Sequence, residues 1–199
     1  MKTIVLYAIS AVLISLAVSA SQAQSDPPKF EVGGQFSVLN FERFTTFADN
    51  RRNELGGGGR FTFNFNRHVA AETQVDFFPQ EDSVRIGTID VPLWGNKTLA
   101  VFGVKAGGRT KRIGVFGKAR PGFIHFSSVP LFFCVISTNP CPQPKHTSFA
   151  FDLGGVFEYY PSPRTVLRFD AGDTIIRHDN QFFKTSHSFQ TSIGVGFRF

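Results

Sequence analysis

The chain has 199 residues, with 21 Lys and Arg against 15 Asp and Glu and a formal net charge of +6. The basic residues are dispersed among acids and not gathered on one face, so the charge points to no nucleic-acid partner. Beyond the N-terminal segment no apolar run approaches the ~20 residues of a spanning helix. Yet 25 Phe and 19 Gly stand beside one Trp and one Met, an odd pairing, because Phe favours strands and Gly is depleted in them.

In chain order, Lys2 supplies a positive charge and residues 4–18 are almost continuously apolar. Val18-Ser19-Ala20 and Ser21-Gln22-Ala23 are small-residue cleavage patterns. Residues 1–23 are therefore expected to be a secretory signal peptide, cut after Ala20 or Ala23. No Cys lies near the cut, so a lipoprotein is not expected. No linker divides residues 24–199, and one domain is expected there.

From Phe30 the apolar residues recur at every second position, the period of a strand with two different faces. Phe30, Val32, Phe36 and Val38 alternate with Glu31, Gly33, Gln35 and Ser37. Leu55, Phe61, Phe63 and Phe65 oppose Arg60, Thr62 and Asn64, and Val69, Ala71, Val75 and Phe77 oppose Glu72, Gln74 and Asp76. The fourth segment sets Ala100, Phe102, Val104 and Ala106 against Gly103, Lys105 and Gly107; the fifth sets Ile113, Val115, Ala119 and Phe123 against Gly114, Lys118, Arg120 and Gly122. The sixth alternates Phe149, Phe151, Leu153, Phe157 and Tyr159 with Asp152, Gly154 and Glu158; the seventh, Leu167, Phe169 and Ala171 with Arg168, Asp170 and Gly172. The eighth sets Phe189, Ile193, Val195, Phe197 and Phe199 against Gln190, Ser192, Gly194, Gly196 and Arg198.

The connections alternate in length: short at 66–68, 108–112 and 160–164, long at about 40–54, 79–97, 127–146 and 174–186. Short turns at one end and long loops at the other are the plan of an outer-membrane barrel. The predicted fold is all-β, an eight-stranded antiparallel up-and-down transmembrane β-barrel over residues 24–199, with both termini periplasmic.

A soluble lipocalin-type barrel has the same strand number but turns its charges outward. Here the polar face carries many Gly, which suits a crowded interior better than a solvated exterior. Its charges also balance: Glu31, Glu72, Asp76, Asp152, Glu158 and Asp170 against Arg60, Lys105, Lys118, Arg120, Arg168 and Arg198. Buried charges persist when paired, so these twelve residues are expected to form a lumen network, with Arg60 near Glu72 and Asp76 and Arg168 near Glu158. Such a network reads as packing, since eight strands leave an interior that side chains just fill.

The chain resembles the small eight-stranded outer-membrane barrels of the OmpA/OmpX type. The resemblance spans residues 24–199 and ends on Phe197-Arg198-Phe199, the alternating aromatic ending of that family. It implies that Phe197 and Phe199 belong to a signal read by the barrel-insertion machinery. Nothing follows Phe199 here, so the peptidoglycan-binding domain of OmpA and cell-wall anchoring by that route are not expected.

Cys134 and Cys141 fall in the third long loop, and outside the cytoplasm such a pair is expected to be a disulfide. His125 with Ser127 and Ser128 is the single local arrangement that could serve a lipid A-modifying hydrolase, but Ser and His are common loop residues and adjacency by chance is the better explanation. Gly56 to Gly59 lacks the Lys and helix of a phosphate loop. Arg67, Arg109, Lys111, Arg112 and Arg164 place cations at the short-turn rim, suited to anionic headgroups. The leading expectation is a non-catalytic, monomeric envelope protein without metal or cofactor, contacting outer-membrane lipid and an unidentified loop ligand. A narrow pore for ions or small solutes and a lipid A-modifying enzyme are the alternatives.

Overall fold

The computed structural model describes residues 27–45, 48–80, 83–86, 89–92, 95–127, 145–177 and 185–199. Eight antiparallel strands close into a barrel: β1 (Phe30–Thr45), β2 (Ala48–Asn64), β3 (Val69–Phe78), β6 (Lys97–Arg109), β7 (Ile113–Phe126), β8 (His146–Ser162), β9 (Thr165–Arg177) and β10 (Thr185–Arg198). Each pairs with its sequence neighbour in the ring, and β1 pairs with β10 from Glu31 opposite Arg198 to Asn40 opposite Phe189. Phe30 and Phe199 exchange two backbone hydrogen bonds of 2.9 Å at the foot of that seam. Closure pairs both edges of each strand within the barrel wall, which hydrocarbon surroundings require.

The short turns are held by their own polar residues. Asn66 Oδ1 accepts from the backbone of His68 and Val69 at 2.7 and 2.9 Å. Thr110 Oγ1 both donates to the Ile113 carbonyl and accepts from the Ile113 amide.

The long connections correct the sequence reading in two places. Pairing of β1 with β2 continues to Thr45 opposite Ala48, so most of the stretch expected as a loop at 40–54 is a projecting hairpin. Within the stretch expected as a loop at 79–97, β4 (Ser83–Ile86) and β5 (Ile89–Pro92) pair as a second small hairpin.

The alternation faces the direction expected for a membrane barrel and not that of a lipocalin. Phe36, Phe102, Val115, Phe123, Leu153, Ile193 and Val195 point outward and are half exposed or more, while the charged residues between them point in and are buried. In water such a belt would far exceed the apolar patch a soluble monomer tolerates.

The inward glycines have a sharper cause than a crowded interior. A Cβ on Gly58 would stand 2.0 Å from the Val75 carbonyl oxygen of the next strand, and one on Gly154 would stand 2.2 Å from that of Ala171. The obstacle is neighbouring backbone, because the strands curl tightly around a small bore.

Candidate functional site: the sealed lumen and its two halves

At the short-turn half of the bore, strand parity drives charged side chains into one another, and Glu72 on β3 is the hub. It accepts from Arg120 and from Arg168, with Arg168 Nη2 to Oε1 at 2.7 Å, and from Thr62 Oγ1 at 3.2 Å. Arg120 also donates to Asp152, Nε to Oδ2 at 2.7 Å, and to Gln74 Oε1 at 2.6 Å. Arg168 Nε reaches Asp170 Oδ2 at 2.6 Å, and Lys118 stands 3.1 Å from Asp152 and 3.3 Å from Asp170. Lys105 donates to Glu158. Arg198 Nε meets Glu31 Oε1 at 3.2 Å.

Of the two expected pairings, one is present beside shorter contacts and the other is not formed. Arg168 does lie 3.5 Å from Glu158, but its shorter contacts are Glu72 and Asp170. Arg60 does not turn to Glu72 or Asp76. It sits opposite Gln74 in register, donates to Gln35 Oε1 at 3.2 Å and approaches Asp170 at 4.0 Å. Asp76 takes part through neutral partners, accepting from Gln35 Nε2 at 2.7 Å, Gln74 Nε2 at 2.5 Å, Gln190 Nε2 at 2.9 Å and Ser37 Oγ at 3.1 Å. Four donors satisfy a buried carboxylate as an ion pair would.

The network also contains residues that the sequence reading placed elsewhere. Arg109 belongs inside and not on the turn rim: it is 6% exposed, 3.3 Å from Glu158 and 3.2 Å from Asn64 Oδ1. Its strand continues through Gly108, and its parity with Lys105 and Gly107 was the available signal. Tyr160, read as part of a turn, is buried with its hydroxyl donating to Glu158 Oε2 at 2.5 Å. Its ring lies 4.2 Å from the Arg198 guanidinium, a cation–π contact.

The long-loop half of the bore was not anticipated. Leu39, Phe41, Phe78, Leu99, Val101, Ile124, Phe126, Ala150 and Ile176 form one buried apolar cluster. Level with it, Glu54 opposite Leu39 and Lys97 opposite Phe78 and Phe126, lies a fully buried pair, Lys97 Nζ to Glu54 Oε1 at 2.7 Å, with the ammonium 5.0 Å from the Phe41 ring centroid. Both residues fall in stretches expected to be loops.

Among the other candidates, His125 faces outward with Nδ1 2.8 Å from Thr147 Oγ1. No acid orients it among its described contacts, and Ser128 lies outside the described residues, as do Cys134 and Cys141. Phe197 and Phe199 join an aromatic patch across the seam, Phe199 stacking on Phe30 at 5.9 Å and Phe30 meeting Phe63 in a tilted contact at 5.3 Å. No cluster suited to a metal occurs among the described residues.

With this geometry in place, the family comparison decides the class. Residues 8–199 match the family model described as outer membrane protein beta-barrel domain. The chain belongs to that family. This outer-membrane barrel shares its fold with neisserial surface protein A: 13% identity, TM-score 0.61, 85% of this chain and 97% of the other. Against OprG of Pseudomonas aeruginosa the values are 14%, 0.56, 88% and 98%. Against the attachment invasion locus protein of Yersinia pestis, solved with the heparin analogue sucrose octasulfate, they are 13%, 0.54, 88% and 100%. No curated protein matches in sequence.

Proposed function

We propose that this outer-membrane barrel is a non-catalytic, non-conducting envelope protein that works through what its long-loop end displays. The carrying observation is that the bore is filled twice over, by an interlocked ionic layer and by an apolar layer stacked on it. An ion entering the bore would meet this buried apolar layer, where unpaired charge is strongly disfavoured. Every acid of the ionic layer is committed to cations or amides, which leaves none poised as a general acid or base. A surface role is also that of one barrel of like fold, the attachment invasion locus protein of Yersinia pestis.

The decisive experiment is single-channel recording in planar bilayers. No steady unitary conductance is expected, and a reproducible open level would overturn the reading. Mass spectrometry of lipid A with and without expression should show no change.

In the same reading residues 1–23 are removed on export, and both termini and the short turns face the periplasm. The protein is a monomer, and Phe197 and Phe199 are presented to the insertion machinery. Cys134 and Cys141 are bonded, closing a loop worth about 2.5 kcal/mol in the chain-entropy model; peptide mapping without reductant should recover the linked pair.

A further inference from the structure

Strand register continues one residue past the strands at the short-turn end of the bore. The carbonyls of Lys29, His68, Arg112 and Arg164 accept from the amides of Asn64, Gly107, Tyr160 and Arg198, each at 2.8 Å. Asn64, Tyr160 and Arg198 are buried in the bore, and Gly107 shares the parity of Lys105 and Arg109. Residues directly opposite one another share a face of the sheet, so these four stand around the bore axis and not against lipid. Exposure falls steadily inward from this collar. Lys29, Arg112 and Arg164 are exposed, Arg109 and Arg198 are 6% and 5% exposed, and Lys105 and Glu158 are sealed off.

Inside the collar the charges do not close. Among the described residues, eight buried cations stand against seven buried carboxylates. Arg109 is the one buried cation there with nitrogens lacking a partner: Nη2 reaches Glu158, Glu31 and Asn64, whereas Nε and Nη1 meet no acceptor. The rings of Phe116 and Tyr160, 5.2 and 5.5 Å from its guanidinium, supply no oxygen to them. Glu31 Oε2 lies 4.0 Å from Lys105, deeper in the bore. A buried cation in surplus calls for a counter-charge. We infer that the short-turn mouth of the bore binds a small soluble oxyanion of the phosphate class, Arg109 forming its floor and Lys29, Arg112 and Arg164 its collar. A tetrahedral group offers oxygens to donors that converge from several strands, whereas a planar carboxylate fills one fork. A phospholipid head lies outside the wall, and the collar surrounds the axis, so the soluble anion is the better fit. Under the orientation proposed above, that anion is periplasmic.

The test is calorimetric titration of the folded protein in neutral detergent at low salt with inorganic phosphate, with acetate and phosphatidylglycerol titrated separately. One phosphate should bind per barrel, about tenfold or more tighter than acetate, because it engages several cations at once. Arg112→Gln with Arg164→Gln should weaken it about tenfold, each exposed cation contributing up to about fivefold. Arg109→Lys keeps the charge but removes the guanidinium donors, and should also weaken it about tenfold. Lys145→Gln, at the opposite end of the barrel, should change it by less than about twofold, the effect of an isolated surface charge outside the site. Unaltered heat-modifiable migration certifies that each variant is folded.

No saturable binding, equal affinity for acetate, or an unweakened double variant overturns the proposal. Tighter binding of phosphatidylglycerol overturns it in favour of a lipid. Asp26, three residues before Lys29, lies outside the described residues and is the alternative counter-charge. Phosphate binding that appears only in Asp26→Asn would mean that the chain's own start fills the mouth, and would overturn the proposal as well. The titration depends neither on which way the barrel faces nor on whether it conducts. Its failure therefore leaves the function proposed above standing, and a conducting barrel would leave the anion site standing.

Discussion

The two halves of the bore solve one packing problem with opposite chemistry. At the short-turn half the filling is ionic: Glu31, Glu72, Asp152, Glu158 and Asp170 against Arg60, Lys105, Arg109, Lys118, Arg120, Arg168 and Arg198. At the long-loop half it is mainly hydrocarbon, from Leu39 to Ile176, with the single pair Lys97–Glu54 set into it. Glutamine side chains around Asp76 divide them, each lending its amide N–H to the carboxylate while Gln35 and Gln74 turn their oxygens to Arg60 and Arg120. An ionic layer is intolerant, because removing one member leaves its partners charged and buried. An apolar layer is graded, because its loss scales with the cavity left behind. The halves should therefore fail differently.

The hub gives the largest contrast. Glu72→Ala takes from Arg120 and Arg168 the carboxylate they share, leaving each with one fewer acid in a buried site, and a loss of about 3–5 kcal/mol is expected. Urea unfolding in detergent reads it as a lowered midpoint. Leu99→Ala in the apolar half should cost about 2–5 kcal/mol, and Leu99→Met, which conserves volume, less than about 1.5. If the conservative swap cost as much as the truncation, the apolar half would not be graded.

A smaller effect tests coupling. Arg168→Ala followed by Glu158→Ala should recover only a minor part of the loss, since Arg168 lies closer to Glu72 and Asp170 than to Glu158. Full recovery in the double-mutant cycle would make Glu158 the principal partner after all. Tyr160→Phe deletes one hydrogen bond to an ionised carboxylate while keeping the ring against Arg198. About 1.5–3 kcal/mol is expected, and no change would mean that the remaining cations satisfy Glu158.

The ring of eight strands and the inward placement of the ionic residues were legible because polar and apolar residues alternate strictly along the short-turn two-thirds of each strand. The apolar plug was not, for a physical reason. Near the long loops both faces of a strand are apolar, as at Phe123, Ile124, Phe126 and Phe149, so the period of two vanishes where it is most needed. Glu54 and Lys97 share the parity of Arg60 and Lys105, yet Pro79 and Pro92 on one side and the charges around Asp49 to Arg52 on the other disguised them as loop. Gly108 disguised Arg109 in the same way. Which carboxylate each cation meets could not be read at all, because a long side chain crosses the bore to any of several strands: Arg168 and Glu72 are 96 positions apart.

The seam between the first and last strands has a consequence for assembly. Glu31 and Arg198 are neighbours there although 167 positions separate them, so the cylinder stays an open sheet with two raw edges until the final strand has been delivered. Ring completion therefore needs both the first and the last strand in place. A rearranged gene that begins at Lys111, with the old ends joined by a short peptide, would encode the same network of backbone bonds while moving the last joint to the boundary between β6 and β7.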